Sequence, residues 1–291
     1  MACTCILISI MIMFLGDISM VLTNSKLSLA DNLFKSLFNL KKDKIESFIK
    51  NPVTISKTVP VSFNQKKIKA YQDFVAWNID EIHPIFPYAL ITHIQFSLVN
   101  DKNFPFSPFG LVHKKETIEC FKPLVNGKWT VKMYLDEVRE VEKGYELISI
   151  TELTIDGELF WKSTTTAFKK TKRGPSKIRP NKEKVESNII WDIPDGHGRK
   201  YGMISHNIDP IHMSRASAKL MGFKKGALMH GMWTVARSVS EYSKLTYPFK
   251  LDVKFISPVY MPTKVLFSEK ENSFGVYSES GERVHLLGEF K

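Results

Sequence analysis

Residues 201–233 read YGMISHNIDPIHMSRASAKLMGFKKGALMHGMW. Between Asn207 and His212 stand an amide, a carboxylate and an imidazole, grouped around Pro210. A second imidazole, His230, is followed at once by Gly231. An imidazole titrates near neutrality and can trade protons with water. Pro210 fixes its own φ and biases Asp209 away from the helical region. In an extended segment residues two apart face the same way, so Asn207 and Asp209 can address one atom. Beyond them, Met232, Val235, Ala236 and Val239 fall on one face of a helix predicted over 228–242. The first amides of a helix have no partner, and glycine lets a ligand reach the backbone, so Gly231 suits an oxygen gathering negative charge. His206, Asp209, His212 and His230 are also metal-ligand types. Pro210 interrupts any helix that would align the first three, and the spacing matches no zinc pattern, so no metal is expected.

Outward from this stretch the chain reads as two halves of one plan. In the second half the helix is followed by strand-like LDVKFISPVYMPTKVLFSEK (251–270), SFGVYSES (273–280) and RVHLLGEF (283–290). In the first, an apolar stretch of helix length, HPIFPYALITHIQFSLV (83–99), precedes VHKKETIECFKPL (112–124), GKWTVKMYLDEV (127–138), KGYELISITELTI (143–155) and ELFWKSTTTAFKK (158–170). Cys120-Phe121-Lys122-Pro123-Leu124 echoes Phe255-Ile256-Ser257-Pro258-Val259, each downstream of its half's long helix. One long helix followed by antiparallel strands predicts an α+β unit with the sheet wrapped round the helix. Two such units side by side, a pseudo-dimer in one chain, would bury each other's sheet edges.

With these residues in view, the chain resembles the MaoC-like dehydratases, (R)-specific enoyl-thioester hydratases of the hot-dog fold. Their pattern runs Ser-Gly-Asp-x-Asn-Pro-(Ile/Leu)-His, then a short helix, a Gly-Phe turn, and His-Gly-Met opening a central helix. Ser205, Pro210, Ile211, His212, Ala218, Gly222, Phe223, His230, Gly231 and Met232 match it. The first half, chiefly through FPFSPFGLVH (104–113), is similar to the catalytically empty repeat of two-repeat members. The resemblance covers residues 55–291 and implies a double hot-dog. It implies reversible hydration of a trans-2-enoyl thioester to the (R)-3-hydroxyacyl form. It implies no cofactor, with coenzyme A or a carrier protein's phosphopantetheine belonging to the substrate. His212 and an acidic neighbour would hold water, and the Gly231 amide would polarise the carbonyl.

The chain departs from the pattern at two positions. The family's Asp is Asn207, and its Asn is Asp209. A neutral amide does not accept a proton, so the acidic role passes to Asp209 with Asn207 orienting. The alternative is an acyl-thioester binding protein with a degenerate site. The family's Gly is His206, read as an exposed loop residue. Ser205, Pro210 and His230 are read as structural at the site, and Arg215, Lys219, Lys224 and Lys225 as candidates for the carrier's phosphates.

Composition sets the outer bounds. The chain has 291 residues, 43% hydrophobic and 24% charged, a globular balance that excludes disorder. Cys3, Cys5 and Cys120 make no disulfide framework, which points to a reducing, cytoplasmic setting. A net charge of +11 favours anionic partners. Its densest run, KKTKRGPSKIRPNKEK (169–184), has two prolines and no aromatic residue. That describes a solvated linker, not a specific nucleic-acid surface. The first sixteen residues carry no charge, but Asp17 ends the run short of the roughly 20 apolar residues a span needs. A start at Met20 is the preferred reading, with membrane contact through residues 1–23 left open. Leu33, Phe34, Leu37, Phe38, Ile45 and Phe48 predict a helix within 31–49 packed on the body. The expected organisation is an extension over 1–50, an N-terminal repeat over 51–170, a basic linker over 171–188 and a C-terminal repeat with the site over 189–291. The chain is expected as a monomer with an internal pseudo-dimer or as a homodimer, and an acyl carrier protein is a candidate partner.

Overall fold

A computed structural model describes residues 45–62, 64–107, 110–171, 184–242 and 245–291. The expectations for residues 1–44 and for most of the basic run lie outside this set. The first half contains α1 (Ile45–Lys50), β1 (Ser56–Ser62), α2 (Gln65–Phe74), α3 (Pro87–Val99), β2 (Leu111–Cys120), β3 (Lys128–Val141), β4 (Gly144–Ile155) and β5 (Glu158–Lys170). The second contains β6 (Ile189–Ile193), α4 (His197–Ser205), α5 (Pro210–Met213), α6 (Arg215–Leu220), α7 (Gly231–Glu241), β7 (Phe249–Phe255), β8 (Thr263–Lys270), β9 (Ser273–Ser278) and β10 (Val284–Phe290). Among the described residues no helix is long and apolar enough to cross a membrane.

The strands form one ten-stranded sheet in the order β1-β3-β4-β5-β2-β7-β10-β9-β8-β6. Read outward from the β2–β7 joint, the two halves have the same order: β2-β5-β4-β3-β1 and β7-β10-β9-β8-β6. The internal duplication is therefore present in the topology, and the fold is a double hot-dog of the α+β class. At the joint the strands run antiparallel, from Lys115 opposite Lys254 to Cys120 opposite Phe249. This pairing removes two edges that would otherwise present unpaired backbone groups. A cross-joint bond from Thr117 Oγ1 to Asp252 Oδ1 (2.6 Å) ties the halves further. Pro123 and Pro258, the echo seen in the sequence, follow β2 and β7 just beyond the end of each strand.

Each half winds its strands about one helix. α3 is apolar on nearly every face and is buried from Pro87 to Thr92 and again at Ile94 and Leu98. It starts at Pro87, later than the apolar run that predicted it. Pro87 suits the first helical turn, where its missing N–H costs nothing, and Pro84 lies in the turn before. In α7, Met232, Val235, Ala236 and Val239 are all buried. The two helical centres meet through His83. Its Nε2 donates to the Ala236 carbonyl (3.1 Å) and its Nδ1 accepts from the Ile85 amide (2.9 Å). Burial pushes its pKa down to about 3, which leaves it a neutral linker between the halves. In α1, Ile45 is buried and Phe48 packs against the core.

Candidate active site

The site is built by a loop laid across a glycine-faced helix. On α4, a Cβ at Gly198 would stand 2.8 Å from the His212 carbonyl oxygen. A Cβ at Gly202 would stand 2.6 Å from the Asn207 carbonyl oxygen. Only glycine at these two positions lets the 207–212 backbone lie so close. Asp209 then caps α5, its Oδ1 accepting from the Ile211 amide (3.2 Å), with Pro210 in the first turn. Asn207 Oδ1 accepts from the Asp209 amide (3.4 Å). Ser214 and Ser217 form a capping box that starts α6 directly behind.

His212 is half-buried, and its Nδ1 lies 2.8 Å from the Leu228 carbonyl oxygen. A carbonyl only accepts, so Nδ1 carries the hydrogen and Nε2 keeps its lone pair. Burial pushes this imidazole below its usual value of 6.5, while the Asp209 charge and the Leu228 carbonyl pull the other way. His230 is buried and donates from Nε2 to the Gly198 carbonyl (3.0 Å). Burial, then the neighbouring His212, drives its pKa well below 6.5. As N-cap residue of α7, His230 makes no side-chain bond to the helix start, so the first amides there have no intrahelical partner.

Asn207, Asp209, His212 and Gly231 line one cavity of about 520 Å³, a size that suits a small-molecule ligand. Apolar walls come from Phe223, Leu228, Met229, Met232, Phe255 and Val259. Ser205 also lines it, and its buried Oγ has no hydrogen-bond partner in the structure. Pro210 sits half-buried at the start of α5. A Cβ at Gly231 would stand 2.7 Å from Cε1 of Phe255, so that ring packs directly over the helix start.

Two expectations need adjustment. His206 is half-buried, not exposed, and ends α4 at φ 55°, the left-handed region that glycine occupies most easily. The family's glycine at this position thus has a backbone reason, and the imidazole here takes the less comfortable conformation. Arg215, Lys219, Lys224 and Lys225 are exposed, and none of the four lines the cavity. Arg215 pairs with Asp195 (3.2 Å), and Lys225 lies over the Tyr260 ring (5.8 Å).

The sequence reading did not identify the contribution of the first half. Tyr88, Thr92 and Gln95 of α3 and His113 of β2 also line the cavity. The spacing of Tyr88, Thr92 and Gln95 on α3 was the available signal, three polar groups at i, i+4 and i+7 on one face of a largely apolar helix.

Comparisons with known proteins agree with the fold. Residues 181–282 match the family model described as MaoC like domain. The chain is 26% identical over 184 residues to 3-hydroxyacyl-thioester dehydratase X of Mycobacterium tuberculosis, a match covering 61% of this chain and 65% of the relative. A crystal structure of HtdX from the same organism superposes with a TM-score of 0.70 at 22% identity, covering 80% of this chain and 98% of that one. A MaoC-like dehydratase from Phytophthora capsici gives 0.63 at 17% identity, covering 81% and 94%. At these identities the structural likeness establishes the fold.

Proposed function

We propose, from the premise that residues 181–282 form a MaoC-like domain, that this protein is a hydro-lyase. It adds water reversibly across the double bond of a trans-2-enoyl thioester to give the (R)-3-hydroxyacyl thioester. One observation carries the reading. The Asp209 carboxylate, a neutral His212 and the amide of Gly231 share one cavity with apolar walls. The name of the M. tuberculosis relative, a 3-hydroxyacyl-thioester dehydratase, supports the same chemistry.

In the hydration direction a water lies between Asp209 and His212, with Asn207 holding the Asp209 segment. His212 Nε2 accepts a proton as the water oxygen bonds to the β-carbon of the enoyl group. The electron pair of the double bond moves onto the thioester oxygen, where the unpaired amide of Gly231 and the positive end of α7 stabilise it. The imidazolium, steadied by the Asp209 charge, gives its proton to the α-carbon, and the carbonyl re-forms. Atoms balance as one water added, with no redox change and no metal step. Asp209 Oδ1 is engaged at the helix cap, which leaves Oδ2 for the water. Coenzyme A and an acyl carrier protein's pantetheine arm are both candidate carriers.

The test is loss of the enoyl-thioester absorbance when crotonyl-CoA is mixed with the protein, followed by chiral analysis of the product. We expect turnover to the (R)-alcohol. His212→Asn should lower kcat by about 10²–10⁴, the usual worth of a general base. Tight binding of crotonyl-CoA without any turnover would overturn the reading in favour of a thioester-binding protein.

A further inference from the structure

The first half of the chain brings no catalytic motif, yet its wall of the cavity sets polar groups beside the apolar Leu111 and Val112. Tyr88 and His113 line the space, and both bond to the same carboxylate oxygen. Glu116 Oε2 accepts from the Tyr88 hydroxyl (2.5 Å), His113 Nε2 (2.8 Å) and Thr165 Oγ1 (2.8 Å). Glu116 is fully buried, and its second oxygen has no partner in the structure. The His113 side chain is 30% exposed. With Nε2 given to the carboxylate, its Nδ1 is the ring nitrogen left for the cavity. Thr92 and Gln95 add a hydroxyl and an amide on the same side.

Burying a carboxylate with only partial satisfaction is costly relative to a plain apolar wall. An alkyl chain gains nothing from the polar part of such a wall. A site built to hydrogen-bond a substrate hydroxyl rejects analogues lacking it far more strongly than a hydrophobic pocket rejects a missing methylene. The location fits a substrate group and not the reacting atoms. The His113 ring lies 4.5 Å from the Phe255 ring, and the Phe255 ring packs over Gly231. One aromatic ring therefore separates the wall from the helix start where the thioester oxygen would sit.

We infer that the Tyr88–Glu116–His113 wall is a specificity element that recognises a hydroxyl group on the acyl chain, so that the preferred substrates are oxygenated enoyl thioesters. The inference rests on the hydratase reading and names the substrate class of that site. His113 Nδ1 accepts from the substrate hydroxyl, while Glu116 fixes the ring and its tautomer from behind. Tyr88 and Thr165 hold Glu116 in turn. His113 is a recognition residue here; it does not touch the reacting carbons.

The experiment compares unsubstituted enoyl-CoA esters with the same esters hydroxylated at successive carbons toward the chain end. The kcat/KM ratio, hydroxylated over unsubstituted, should exceed about tenfold at one position, the worth of one buried hydrogen bond. His113→Leu should bring that ratio to one, and His113→Asn, which keeps an acceptor, should restore part of it. Calorimetric binding of the corresponding saturated acyl-CoA esters gives the same comparison without chemistry and covers variants that turn over poorly. A wild-type ratio near one at every position, in both assays, overturns the inference while leaving hydration of unsubstituted esters intact. Failure of every ester to react removes the hydratase reading instead.

Discussion

His212 and His230 lie face to face, their ring centroids 3.7 Å apart and their planes 27° from parallel. Each donates one N–H to a backbone carbonyl, of Leu228 and Gly198 respectively. Two cations cannot share that spacing away from water at acceptable cost. Burial lowers the pKa of both rings, and His212 lowers that of His230 further, so His212 is left in the neutral form that can take a proton from water. Below it, Gly198 of α4 accepts from His230 and also lies against the His212 backbone, so one glycine holds both ends of the stack.

Stability should fall on acidification, and the sign follows from the direction of the shifts. His83, His212 and His230 all have folded pKa values below the usual 6.5. Each binds a proton more readily in the unfolded chain. Their contribution is full above about pH 6.5 and is lost as pH drops below it. For His83 the loss continues down to about pH 3. A thermal melt at pH 5 should give a lower Tm than one at pH 7, and equal values would contradict this account of the buried imidazoles.

The acid limb of activity reports His212 itself. With burial lowering its pKa, kcat/KM for crotonyl-CoA should hold down to below pH 6.5 before falling. Asp209 pulls that pKa upward. Asp209→Asn should move the limb to lower pH, besides lowering the rate. The pH profile of the two proteins, measured side by side, checks the direction.

Gly231→Ala should separate the oxyanion contact from the rest of the site. The new Cβ would meet the Phe255 ring at 2.7 Å, so that ring must shift into the cavity. We expect a stability cost of about 1–3 kcal/mol, as for other overpacked sites. We expect a fall in kcat of about 10² from the displaced thioester oxygen. Thermal melts and steady-state kinetics on the same sample measure both.

Much of this was legible before any coordinates. Strands β2 to β5, β9 and β10 were read to within a few residues, because turn residues punctuate them: Asp156-Gly157 sits between β4 and β5, and Gly144 opens β4; β1 and β6 were not read as strands. The single apolar run from Leu251 to Lys270 was harder. It splits into β7 and β8, which are not neighbours in the sheet, and Pro258 and Pro262 lie between them. The loop from Asn207 to His212 was legible as chemistry but not as geometry, since Gly198 and Gly202 on a preceding helix decide how it lies. The Tyr88–Glu116–His113 cluster was not legible as a cluster, although Tyr88 lay on a visible polar face of α3. Tyr88 and Glu116 lie 28 residues apart and Thr165 a further 49 along; the paired strands β2 and β5 set Glu116 opposite Thr165, and helix α3 lays Tyr88 against both.

The exchange of types at 207 and 209 concentrates the account into one comparison. The kcat/KM of Asp209→Asn and of Asn207→Ala on crotonyl-CoA should be set against the unmodified protein. Asn keeps the α5 cap and removes only the charge. If Asp209 bears the acidic role, Asp209→Asn should lose about 10² or more in kcat/KM with an unchanged melting temperature, and Asn207→Ala about tenfold or less. Full activity in Asp209→Asn would contradict it.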